Sequence, residues 1–144
     1  MKVLLHDHGT KTAVNGSSPG FQDLVRTCEE ALTTAPEGNM AELAVFPSTI
    51  EDIEKNGVSV ELIYPKVQHF SLSYGGKGRS LPANRLLIEL YGPHAEGREN
   101  GRVLVFYGEF SWLRGAYSSG PYVSLPAYEQ KIRALLAKMG YKVN

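Results

Sequence analysis

The chain is poor in several features that define small proteins. Cys28 is the only cysteine in 144 residues. No intramolecular disulfide can form, and a reducing, cytoplasmic setting is expected. No run approaches the roughly 20 apolar residues of a membrane-spanning helix. The N-terminal segment offers only Val3-Leu4-Leu5 as consecutive apolar residues. That is too short for the core of a secretion signal, so the protein is expected to stay where it is made, with no membrane partner. Net charge is also lacking, with 15 Lys+Arg against 15 Asp+Glu. The balance removes the usual electrostatic signature of a nucleic-acid or membrane-surface binder. Acids gather between residues 23 and 54, and bases around 77–85 and 131–142.

The apolar fraction is 42% and the aromatic fraction 10%, which fits an ordered globular chain that buries its own core. A single domain over residues 1–144 is expected. Val3-Leu4-Leu5 and Thr12-Ala13-Val14 read as two short strands around the turn-forming Asp7-His8-Gly9-Thr10. A helix over about 19–35 follows, with Ser18 as its cap and Pro19 at its first position. Its stripe is Phe21, Leu24, Val25, Cys28, Ala31, Leu32 and Ala35. Leu43 to Phe46 suggests a short strand. Ser48-Thr49-Ile50-Glu51 has the pattern of a capping box for a short helix over about 49–56, with a left-handed cap at Asn56-Gly57.

From residue 58 the apolar period changes to two, at Val58, Val60, Leu62 and Tyr64, and again at Phe70, Leu72 and Tyr74. Arg85 to Tyr91 and Arg102 to Tyr107 are denser runs that suit central strands, with Asn100-Gly101 favouring a hairpin turn between them. The last helix, about 125–139, carries Leu125, Tyr128, Ile132, Leu135, Leu136 and Met139, with Ser124 as cap and Gly140 as stop. The fold class is therefore α+β. It has an antiparallel sheet, a meander in the central and C-terminal part, with two main helices and one short helix packed on one face.

Four groups could carry chemistry. His6-Asp7-His8 has donors suited to zinc or a similar cation, and in a strand His6 and His8 share one side. A polar hairpin turn explains the same residues. Tyr74-Gly75-Gly76-Lys77-Gly78-Arg79 can wrap a small anion through Lys77 and Arg79, although its spacing is not that of a Walker loop. The segment from Phe106 to Tyr128 is rich in aromatics, which can form a contact surface through Trp112, Tyr117 and Tyr122 or complete the core. Glu89 and Glu109 are a conceivable acid–base pair. Cys28 falls on an apolar stripe and reads as an inert thiol.

With no catalytic set, metal or cofactor assigned, the favoured reading is a non-enzymatic module that binds a protein partner or pairs with itself as a homodimer. One alternative is a metal-dependent enzyme using His6, Asp7 and His8. A second is a binder of a small anionic ligand through the Gly75–Arg79 loop, at Lys77 and Arg79. The spatial separation of His6, His8, His69 and His94 decides most between them.

Overall fold

The computed structural model describes residues 1–36, 45–72, 79–95, 99–110, 117 and 119–143. The hairpin expected at the N-terminus is present as β1 (Lys2–Asp7) and β2 (Thr10–Ala13), closed by a turn at His8 and Gly9. The first helix, α1 (Phe21–Thr33), starts later than Ser18-Pro19 suggests. Gly20 takes a left-handed φ of 93°, so it cannot continue a helix from Pro19, and Ser18 caps nothing. The expected stripe is buried from Phe21 to Leu32.

The short helix α2 (Pro47–Asn56) begins before the capping box read from Ser48. Pro47 suits the first helical position, and Thr49 Oγ1 accepts a bond from the Phe46 amide at 3.2 Å. Of the strand expected at Leu43 to Phe46, residues 43 and 44 lie outside the described residues; Val45 and Phe46 are not in a strand. At the other end of α2, Gly57 is extended rather than left-handed. Its glycine identity has another cause: a Cβ there would lie 2.2 Å from the Tyr91 carbonyl oxygen.

The two expected strands after residue 58 are one long strand, β3 (Val58–Leu72). Its register slips between Ile63 and Gln68, which gives Pro65 a place outside the regular ladder. β4 (Arg79–Tyr91), β5 (Leu104–Gly108) and β6 (Ser119–Val123) complete an antiparallel sheet of order β2-β1-β3-β4-β5-β6. The last helix, α3 (Tyr128–Lys138), starts three residues after Leu125, which is exposed. Ser124 does not cap it. The Ser124 hydroxyl instead accepts from the Val103 amide and donates to the Leu125 carbonyl. Gly140 ends the helix as expected, at a φ of 93°.

Strand alternation assigns the layers. Val58, Val60, Leu62, Leu86, Ile88, Val103 and Val105 point into one core with the buried stripes of α1 and α3. Leu87, Leu104 and Phe106, one residue out of step, point to the opposite face and meet Ile53 of α2. Helices therefore cover both faces of the sheet, not one. The polar residues that alternate with the main core, among them His6, Ser59, Glu61 and Glu89, are buried beneath or beside α2. No described helix is long and apolar enough to cross a membrane.

The close approach of Gly57 to β4 seats α2 on this second face. Gly57→Ala is expected to destabilise the chain by about 1–3 kcal/mol, as overpacking does. Chemical denaturation checks it, and an unchanged midpoint would show that α2 has slack to move.

Candidate metal centre

β1 brings His6 to the second face. Its direct partner across the β1–β3 ladder is Ser59, and Glu61 lies two residues further along β3. A diagonal neighbour in an antiparallel pair is within reach of a long side chain. His6 Nε2 lies 3.1 Å from Glu61 Oε1. From the helix layer, Ile53 anchors α2 in the apolar cluster, and the adjacent Glu54 places Oε1 3.7 Å from the same nitrogen. The backbone reinforces this meeting. The Gly9 amide donates to the Glu54 carbonyl and the His8 amide to the Gly57 carbonyl, at 3.1 and 2.8 Å. The hairpin thus satisfies carbonyls that the end of a helix leaves without partners.

One ligand atom each from His6, Glu54 and Glu61 lies within 4.8 Å of the others. Metal–ligand bonds of about 2.0–2.2 Å set neighbouring donors about 3.0–3.5 Å apart. The 3.1 Å from His6 Nε2 to Glu61 falls in that range, and the 3.7 Å to Glu54 lies just beyond it. Among the described residues, no other group of three His, Cys, Asp or Glu side chains converges in this way. The group lines a cleft of about 640 Å³ together with Gly9, Lys11, Glu51 and Lys55.

The two carboxyls differ. Burial raises the pKa of Glu61, but the hydrogen bonds to His6 and Tyr117 and the charges of His6 and Arg85 outweigh it, leaving it below the ordinary carboxylate value. The Tyr117 hydroxyl donates to Glu61 Oε2 at 2.7 Å, so Oε1 is the oxygen left facing His6. Glu54 moves the other way. Burial is the main cause, and the charge of Glu61 adds to it, while His6 and Lys11 oppose it. Ser59 is wholly buried, and its Oγ has no hydrogen-bond partner among the described residues. It sits beside His6 on the same face. A buried hydroxyl without a partner is costly, and an ion's bound water would supply one.

The sequence singled out His6, but its expected companions are elsewhere. His8 lies in the turn at a φ of 49°, which takes it off the alternation of β1. It is exposed and pairs with Asp7 Oδ1 at 2.7 Å. His69 is exposed on β3, and His94 faces Asp52 at 3.6 Å. Glu89 is buried with its carboxylate against Gly92, whereas Glu109 is exposed beyond the far end of β5, so the two do not form a pair. Cys28 is fully buried, and burial followed by the charge of Glu29 pushes its thiol up, away from the reactive thiolate.

Lys77 and Trp112 lie outside the described residues; Arg79 opens β4, and its side chain is likewise outside them. Tyr117 and Tyr122 are both buried. Tyr117 joins the second-face cluster, and Tyr122 joins the main core, stacked on Tyr107 at 5.8 Å. Glu54 and Glu61 were not legible as ligands, because neither has a local motif. The chain matches no protein family, no curated protein and no solved structure.

The Tyr117–Glu61 bond is expected to contribute through the charge on Glu61. A carboxyl with a lowered pKa gives stability that is present above its ordinary value of 4.5 and lost as pH falls. Tyr117→Phe should therefore cost about 1.5–3 kcal/mol at neutral pH, the range for hydrogen bonds to charged groups. That cost should shrink as acid protonates Glu61. Denaturation curves across the acid range check this; a cost independent of pH would mean that the hydroxyl contributes without regard to the charge on Glu61, and no cost would mean that Tyr117 acts by packing alone.

Proposed function

We propose that the protein binds one divalent cation, of the zinc or manganese class, at His6, Glu54 and Glu61. One imidazole and two carboxylates are a donor set for such ions. The observation that carries this reading is the convergence of three donors within 4.8 Å on a cleft large enough for a small molecule. The unpartnered Ser59 hydroxyl beside His6 supports it.

Three protein ligands leave a coordination side for water, which is the pattern of a catalytic rather than a structural ion. His6 and Glu61 are buried while Glu54 is partly exposed, so the open side faces the cleft along Glu54. The reaction class that this arrangement suits is metal-assisted hydrolysis, in which the ion acidifies its water and polarises the bond under attack. The metal-dependent alternative read from the sequence thus keeps His6 but exchanges Asp7 and His8 for Glu54 and Glu61. The interaction module draws less support from the described residues, since Tyr117 and Tyr122 turn their rings inward.

Calorimetric titration of Zn²⁺ or Mn²⁺ into the full chain should give one ion per chain. His6→Ala, Glu54→Gln and Glu61→Gln should each weaken binding about tenfold or more, whereas Asp7→Asn and His8→Ala leave it unchanged. Glu54→Gln should also melt no lower than the parent without metal, because burial disfavours the charge that it removes. Absence of binding, or loss of binding on substituting Asp7 and His8 instead, would overturn the proposal.

A further inference from the structure

We infer that the cleft takes an anionic oxygen group, of the phosphate, phosphonate or carboxylate type, and that this ligand binds only after the metal. The inference rests on the metal site proposed above.

The ionisable groups lining the cleft set the order. Glu51, Glu54 and Glu61 face Lys11 and Lys55. Three carboxylates against two ammonium groups leave the lining side chains with no surplus of positive charge, even with His6 charged. A small anion therefore finds nothing in the metal-free cleft to outweigh its carboxylates. One divalent ion, with His6 neutral as its ligand, gives that lining one net positive charge.

The placement of the lysines gives the anion its counter-charges. Lys11 is the direct cross-strand partner of His6 in the β1–β2 ladder, so it lies on the same face beside the site. Lys55 follows Glu54 on the same flank of α2, one turn beyond Glu51. Both are exposed, and neither forms an ion pair among the described residues. They therefore flank the cleft from its two walls, the sheet edge and the helix. The zero net charge of the chain supplies no wider field for a polyanion. The anion is accordingly a small one, held by the ion and these two side chains.

The test uses the full chain loaded with Co²⁺, whose visible bands report its ligands, titrated with methylphosphonate. The expected result is a saturable spectral change in the Co²⁺-loaded chain and no calorimetric binding to the metal-free chain. Lys11→Met and Lys55→Met should each weaken methylphosphonate about threefold to fivefold, the range of a partly exposed ion pair, without weakening Co²⁺ itself. Uptake of Co²⁺ without any response to methylphosphonate would overturn this inference and leave the metal site standing. So would equal methylphosphonate affinity with and without metal, or full affinity in the double lysine variant. A chain that takes up no Co²⁺ would overturn both readings.

Discussion

Glu61 is a carboxylate in the middle of a sheet that is covered on both faces, and most of the second face is arranged around it. A buried charge is tolerated only with partners. Glu61 has His6 from β1, the Tyr117 hydroxyl, and the field of Arg85 from β4. Each fixes something else in turn. Holding Tyr117 buries its ring among Leu87, Leu104 and Phe106. Holding His6 leaves its Nε2 within reach of Glu54 on the overlying helix.

The same residues are awkward for a fold without an ion. Glu54 bears a carboxyl whose charge its surroundings disfavour, next to one whose charge they favour. Two such groups around one imidazole are a poor way to stabilise a helix on a sheet, where apolar residues of similar size would serve at least as well. They are a good way to hold a cation. The hairpin turn pinned to the end of α2 supports this geometry independently of the side chains, because its two bonds are backbone to backbone. The site is thus built on two strands and a helix, the elements that hold ligands most precisely.

The sheet was largely legible in the sequence. Period-two alternation at Val58–Tyr64 and the dense runs Arg85–Tyr91 and Arg102–Tyr107 mark segments that lie in β3, β4 and, from Leu104, β5. β6 was not legible, since Ser119-Gly120-Pro121 has the composition of a turn and becomes a strand only by pairing with β5. Helix starts were misplaced wherever a local cap candidate competed with a backbone constraint, as at Ser18 against Gly20 and at Ser48 against Pro47. The larger gap concerns the second face. Ser59 and Glu61 alternate with apolar residues just as solvent-facing residues do. Only the placement of α2, a tertiary fact, turns them inward. His6 drew attention by residue type, but its partners were sought in its sequence neighbours, whereas the fold supplies them from residues 54 and 61.

The central claim is that His6, Glu54 and Glu61 are ligands of one ion. X-ray absorption at the zinc edge of the metal-loaded chain, set beside the same measurement on His6→Ala, tests it most directly. The account predicts one imidazole nitrogen among otherwise oxygen ligands at about 2.0–2.2 Å, with the imidazole signal lost in the variant. Two imidazoles, or an imidazole signal that survives the loss of His6, would contradict it.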